Sequence, residues 1–358
     1  AKTYFQNSLD IGQRTDQRTI DTQVVSNLGL TFMNQGNYDE GIRVMREQLE
    51  KCQLQNDKPG MATIFTYLGI VYLEQGDYDH AMDSFQRGLL LNEELGNKML
   101  LSVVIGNIGI VNQRRGRYEE AMEQFQRDLE ICEELGDKQG IAIALGLIGE
   151  LHSIRGEFYK AIEYLQKNLM LCEELGYQKG IAKAVNTLGD VFYFLENYPR
   201  SLHFYDRAIE VTRSIGNKLV LGFSLVEKGT VLIASESYGE LQSVLREALG
   251  IAEELGNPDL FFETKVLEAK VKLLQKESEA AVAILKALLR RRLNKGQQAT
   301  AWYQLYRSDP LEQTYREQAR ALFDELYTAT PRYLFRKRLQ ELGVEPPEPA
   351  DSEGGRAP

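Results

Sequence analysis

An all-α fold, a right-handed α-solenoid of antiparallel helix pairs, is what the 358-residue sequence predicts, and three features predict it. A fifteen-residue phrase recurs in register: "LGLTFMNQGNYDEGI" at 28 to 42 returns as "LGIVYLEQGDYDHAM" at 68 to 82, "IGIVNQRRGRYEEAM" at 108 to 122 and "IGELHSIRGEFYKAI" at 148 to 162, forty residues apart each time. Apolar residues within each copy follow helical spacing. Glycines and short capping side chains stand between the apolar runs at fixed offsets. A period of this length marks a unit that can bury its apolar face only against its neighbours.

The elements follow in order. Residues 1 to 15 place Phe5 and Leu9 where Phe85 and Leu89 stand in the second repeat, so they read as the second helix of a preceding partial repeat. Such an end calls for protein upstream, or for a partner, a second copy of the chain included, to cover it. Seven forty-residue units then occupy 16 to 296, the later ones decaying through "LGDVFYFLENYPRSL" at 188, "KGTVLIASESYGELQ" at 228 and "EAKVKLLQKESEAAV" at 268. In the second unit Ile64, Phe65, Leu68, Tyr72 and Leu73 share one face of a first helix. Gly76 ends it, because a glycine just past a helix takes the left-handed conformation cheaply. Asp77 caps the second helix, with Asn37 and Asn197 at equivalent turns, and Ala81, Met82, Phe85, Leu89 and Leu90 turn inward.

Gly96, Gly136, Gly176, Gly216 and Gly256 close second helices, and Asn97, Asp137, Asn217 and Asn257 cap the first helices that follow. The near-identical "CEELGDKQGIA" at 132 and "CEELGYQKGIA" at 172 are this punctuation, and Glu133, Glu134, Glu173 and Glu174 read as a solvated helix edge. Gly29, Gly69, Gly109, Gly149, Gly189 and Gly229 recur inside first helices, where glycine costs about 0.5 to 1 kcal/mol relative to alanine. A cost repeated in register predicts close helix approach, with Ala81, Ala121, Ala161 and Ser201 as the matching small site. Residues 297 to 342 read as a degenerate helical pair, interrupted at Asp309 and Pro310, plus a short basic capping helix, and the tail from 343 to 358 as disordered.

The combination of Leu68, Gly69, Tyr72, Gly76, Tyr78, Ala81 and Phe85 resembles the tetratricopeptide repeat, over roughly residues 17 to 294. The common unit of that family is about 34 residues, and the units here are longer at the "EELGDK" end. The longer form resembles the arrays of polarity adaptors and kinesin light chains and those of bacterial signalling proteins. The C-terminal "ALFDELYTATPRYLFRKRLQELG" resembles the ends of bacterial proteins in which such arrays follow a STAND or AAA-type ATPase, a kinase or a cyclase. The resemblance implies a binding module without catalysis, either the sensor or regulatory arm of a larger bacterial signalling protein or a free-standing adaptor.

Composition narrows the partners. A formal charge of -10 argues against a nucleic-acid footprint, which needs a basic face. No apolar run is long enough to span a bilayer and the N-terminus carries no secretory segment, so a cytoplasmic protein without membrane contact is expected. Cys52, Cys132 and Cys172 occupy one repeat position at distances that exclude metal-type spacing, and they read as packing residues. His80, His152 and His203 fall at unrelated positions, and no phosphate loop, nucleophile elbow or zinc-protease motif is present. No catalytic residue, metal ligand or cofactor is assigned.

By analogy with the family, the first-helix positions after the repeat glycine and before the Leu-Gly pair line a concave groove for a protein or peptide. These are Asn27, Leu30 and Met33; Tyr67, Ile70 and Leu73; Asn107, Ile110, Gln113 and Arg114; Glu150; and Asp190, Tyr193 and Phe194. Their character passes from aliphatic to acidic and aromatic, and a carboxylate beside two aromatics suits a basic or aromatic anchor. The Lys and Asn set with which some members grip a C-terminal carboxylate is not matched. Arg114, Arg115 and Arg117 read as a solvated basic turn.

Overall fold

The computed structural model describes residues 18–346, in which seventeen α-helices and no strand occur. The predicted half-repeat at 1 to 15 and residues 347–358 of the tail lie outside the described residues. The chain divides into two compact units at residues 144 and 145, inside the seventh helix. The first holds α1 (Arg18–Asn34), α2 (Tyr38–Leu54), α3 (Lys58–Gln75), α4 (Tyr78–Leu95), α5 (Lys98–Arg114), α6 (Tyr118–Leu135) and the start of α7 (Lys138–Arg155). In the second are the rest of α7, α8 (Phe158–Glu174), α9 (Gln178–Phe194), α10 (Tyr198–Ser214), α11 (Lys218–Ala234), α12 (Leu241–Leu255), α13 (Pro258–Leu274) and α14 (Ser278–Leu289). Three further helices follow it there: α15 (Lys295–Ser308), α16 (Gln313–Ala329) and α17 (Tyr333–Glu341).

The turns form as their residues dictate. Gly76 sits at φ 84°, and the amide of Asp77 bonds back to the Tyr72 carbonyl at 2.9 Å, closing the helix with a Schellman-type pair. Where the later repeats lose that glycine, Glu196, Glu236 and Lys276 still hold φ of 58°, 55° and 63°. The packing of the pairs therefore imposes the left-handed turn even on residues that pay for it. Asp57, Asp77, Asn97, Asn197, Asn217 and Asn257 each accept a backbone N–H of the following helix. Asn37 departs from expectation: it precedes α2 but makes no capping bond.

Inside each pair the helices meet at the repeat glycine. A Cβ on Gly69 would lie 2.4 Å from the fully buried Phe85 ring, and one on Gly109 2.5 Å from Phe125. In repeats two, three and five what the glycine admits is the aromatic of the second helix, while Gly29 and Gly149 admit Met45 and Leu165, and Gly229 faces Leu267 of the next repeat. The small site stands opposite the glycine's backbone: Ser201 Oγ donates to the Gly189 carbonyl at 2.8 Å. Leu90 points outward, 67% exposed, and not into the core as its spacing suggested. The Cys132 thiol is buried against Ser102 Oγ at 3.1 Å, and burial pushes its pKa up to about 11. The glutamates of the "EELG" phrase do more than face water, since Glu134 pairs with Lys98 at 2.7 Å and Glu93 with Arg127 at 3.0 Å. Such exposed pairs contribute about 0 to 1 kcal/mol each.

Candidate functional site

The periodicity of the first helices decides which side chains are available. Leu28, Leu68, Ile108, Ile148 and Leu188 go into the core, while the residues on either side of each Leu-Gly or Ile-Gly pair form a half-buried stripe. Asn27, Leu30, Tyr67, Ile70, Asn107, Ile110, Glu150 and Asp190 all lie on it.

In the first unit the stripe is mostly occupied with itself. Leu30, Met33, Tyr67, Ile70 and Ile110 pack on the cluster around Phe85 and Val104. Asn107 turns its amide back to the Val103 carbonyl at 2.7 Å, and Asn27 accepts from Gln23 at 3.4 Å. Leu73 and Gln113, expected on the surface, are 9% and 3% exposed and belong to the interior. Arg114 is exposed, and its neighbour Arg115 pairs with Asp79 of the preceding repeat.

The second unit is different in kind. Glu150 is bridged to Lys183 of α9 at 2.8 Å. Asp190 accepts a short hydrogen bond from the Tyr205 hydroxyl, which reaches it because Gly189 leaves room for the Tyr205 ring. Beside them a pocket of ≈ 460 Å³ opens between α9 and α11, with Asp190 and Glu227 among its lining carboxylates and Val220 and Phe223 as apolar wall. Asn186 and Ser224, joined across it at 2.8 Å, supply polar groups. Deeper along the same face stand Glu263 and Lys270, the latter donating to Thr230 Oγ1 at 3.4 Å.

These groups are starved of solvent. Burial, with the Glu227 charge added, pushes the Asp190 carboxyl up to about 8, and burial with the same neighbour takes Glu263 to about 7. Burial also raises Glu227, against the pull of Lys270, and lowers Lys270 itself against the pull of Glu227. Three carboxyls thus share one ammonium. Burial therefore holds these carboxyls toward their neutral, protonated forms.

Tyr193 and Phe194 are half-buried, and the chain itself covers them. Phe194 stacks on Phe158 at 5.7 Å between centroids, and Tyr333 of α17 meets both rings edge-on, at 4.8 Å from Phe158 and 5.5 Å from Phe194. Arg338 of the same helix bonds Glu341 at 2.6 Å and lies over the Tyr303 ring at 4.6 Å. Its charge also bears on Tyr193, whose hydroxyl is nonetheless raised by burial. His152 is buried, bonded to Glu157 at 2.8 Å and stacked on Tyr164, as a packing residue would be.

Of the predicted residues, Asp190, Tyr193 and Phe194 are brought into one region, Glu150 stands a repeat away, and the remainder belong to the other unit. Tyr205, Glu227, Glu263, Lys270, Tyr333 and Arg338 join that region without having been singled out. Two of them continue the same register: Lys270 follows Leu30, Ile70, Ile110, Glu150, Asp190 and Thr230, while Glu227 follows Asn27, Tyr67 and Asn107. Among the described residues no group of three or more His, Cys, Asp or Glu could hold a metal ion, and no helix is long and apolar enough to cross a membrane.

No curated protein matches the sequence. Solved structures with the same fold include the apo form of the quorum sensor NprR from B. thuringiensis, 13% identical over 96% of this chain and 97% of that one, with a TM-score of 0.60. The Rap conjugation gene regulator of plasmid pLS20, solved with a Phr peptide, is 12% identical over 90% of this chain and 97% of its own, TM-score 0.60. A STAND signal-transduction ATPase with a tetratricopeptide repeat sensor from Pyrococcus horikoshii is 14% identical; the match covers 90% of this chain and 50% of that protein, TM-score 0.57. At such identities the likeness is one of fold. The sequence profile of the tetratricopeptide repeat matches residues 18–94, 100–174 and 140–214, more than half of the chain, and with the helix pairs and their glycine-aromatic contacts this makes the chain a member of the tetratricopeptide repeat family.

Proposed function

We propose that this chain is a non-catalytic module that binds a protein or peptide along the first-helix stripe, and that it serves as the sensor or regulatory arm of a larger bacterial signalling protein. The observation that carries the reading is the pocket of ≈ 460 Å³ between α9 and α11, where charged, amide and apolar groups converge. The peptide-bound Rap regulator supports a peptide as ligand, and the STAND ATPase supports an arm of a larger chain. A free-standing adaptor is the second reading, favoured by the near full-length match to the Rap regulator.

The test is capture of peptides from a random display library by the full chain. Tyr193→Ala combined with Asp190→Arg should abolish enrichment while helix content by circular dichroism stays unchanged. Equal enrichment by the folded double variant removes this surface from the function. Sequencing the coding region upstream of Ala1 separates arm from adaptor, an effector domain in the same frame deciding for the arm.

A further inference from the structure

We infer that the pocket between α9 and α11 takes one large uncharged side chain of the peptide, aliphatic or aromatic, and that Asp190 and Glu227 hydrogen-bond the main-chain amide beside it. The inference rests on the peptide-binding reading above and specifies the residue that this surface selects.

The apolar half comes from the walls. Val220 and Phe223 of α11 face Ala182 of α9 across the pocket, with Ile215 at the turn before α11. Ile215, Val220 and Phe223 are only half-buried, so part of their apolar surface is left for an occupant. Leu219, one turn before Phe223 on the same face of α11, is 37% exposed and carries the apolar wall outward. The volume of ≈ 460 Å³ falls within the range of about 300 to 1,000 Å³ typical of sites that enclose a small ligand.

The polar groups of the lining are mostly spent on one another. Ser224 Oγ donates to Asn186 Oδ1 at 2.8 Å, and the Asn186 amide donates to the Ala182 carbonyl at 2.9 Å. Thr187 Oγ1 donates to the Lys183 carbonyl at 3.0 Å, and the Lys183 ammonium is bridged to Glu150. Asn217 Oδ1 accepts from the Val220 amide at 3.2 Å as the cap of α11. Lys179 stands exposed in the first turn of α9, outside the enclosed part. An acidic side chain entering the pocket would shed its water and meet no free cation inside.

What stays open is the pair of carboxyls. Asp190 has accepted the Tyr205 hydroxyl on one oxygen, and Glu227 lines the pocket beside it. Burial favours the neutral form of both, and a neutral carboxyl offers one O–H donor and one carbonyl acceptor. That is the complement of a peptide amide. A basic side chain would first have to displace a proton from a buried acid, whereas an apolar one brings its own gain on leaving water.

The test starts from a peptide that the full chain selects out of a random display library, resynthesised with a fluorescent label and titrated by anisotropy. Replacing its apolar residues one at a time by lysine or by glutamate should reveal a position where either charge weakens binding about tenfold or more. Val220→Asp and Phe223→Asp should weaken the unmodified peptide to the same extent with helix content unchanged, and Phe223→Leu should bind as the wild type. Asp190→Asn combined with Glu227→Gln should also bind as the wild type, because the amides keep a donor and an acceptor; a site for a cation would lose its ligand in that variant. Should either aspartate variant fail to fold, the position scan and the amide variant decide alone. Tighter binding with lysine at the selected position, loss of binding in the folded amide variant, or unchanged affinity in the folded aspartate variants overturns the inference. Enrichment that still depends on Asp190 and Tyr193 alongside any of those results leaves the peptide-binding reading standing without this selectivity; no enrichment at all ends both.

Discussion

Two glycine-to-alanine substitutions, both inside helices, should move stability in opposite directions. At Gly69 the new Cβ would sit 2.4, 2.5 and 2.8 Å from three carbons of the Phe85 ring, where carbon atoms rest at about 3.5 to 4.0 Å. One of the two must give by about an ångström. Phe85 is fully buried and has nowhere to swing, so the strain falls in the class of core overpacking, about 1 to 3 kcal/mol. Replacing a helical glycine returns about 0.5 to 1 kcal/mol. The net expectation for Gly69→Ala is a loss of up to about 2.5 kcal/mol. Gly250, within α12, has nothing within 4 Å of its Cβ position, so Gly250→Ala keeps only the gain of about 0.5 to 1 kcal/mol. Urea unfolding of the full chain, followed by circular dichroism, reads both as midpoint shifts of opposite sign. Adding Phe85→Leu to Gly69→Ala should cost less than the sum of the single changes, because the smaller side chain relieves the clash. A midpoint raised by Gly69→Ala as much as by Gly250→Ala would refute the account of why glycine recurs in the first helices.

Two further outcomes follow from the buried titratable groups. Asp190 holds its proton in the folded chain up to about pH 8, against a usual value of 3.8, so the folded state binds more protons across that window and stability falls as pH rises through it. Asp190→Asn should flatten the decline, gaining on the wild type between pH 5 and 9 in urea unfolding; Glu227 and Glu263 leave a residual slope of the same sign, and a gain confined to pH below 4 would contradict the assignment. Burial raises the thiols of Cys52, Cys132 and Cys172. None should react with iodoacetamide at pH 8 in the native chain and all should react in urea, as read by mass; rapid native alkylation of Cys132 would show that its helix pair opens.

Much of this fold is legible because a repeat prints its own rules several times. Gly69 and Phe85, sixteen residues apart on successive helices, recur as Gly109 with Phe125 and Gly189 with Tyr205, so close approach could be read without coordinates, though not which side chain filled the gap. Leu90 was misjudged because the apolar count of a helix does not fix where its stripe ends. Asn37 has the residue type of a cap without the bond, since composition allows a cap but backbone geometry makes it. At the site, Asp190 was visible as a carboxylate in a row that opens with Leu30, Ile70 and Ile110 and turns polar from Glu150 on. Its partner Tyr205 was visible too, as a hydroxyl where Phe85 and Phe125 stand. Tyr333 could not be found this way: it belongs to a helix outside the period, and nothing in the chain order says that it returns to the face of repeats four and five.

The division of labour within each repeat gives the acidic face its meaning. Stability comes from the glycine-aromatic contact, the left-handed turns and the buried row at Leu28, Leu68, Ile108, Ile148 and Leu188, all of which use positions other than the stripe. The stripe in the first unit holds apolar residues and amides that bond within their own helices, and there it adds to the packing. In the second unit the same positions hold Asp190, Glu227 and Lys270, whose pKa values register a penalty for being where they are. Replacing such groups by apolar residues of similar size is often neutral or stabilising. Repeats two and three set isoleucine at this position and phenylalanine at the facing one, whereas repeat five sets Asp190 beside the buried Tyr205 hydroxyl, a polar pair that the fold does not require. A penalty concentrated on a stripe that opens with the apolar Leu30, Ile70 and Ile110 is what the proposed recognition surface would carry.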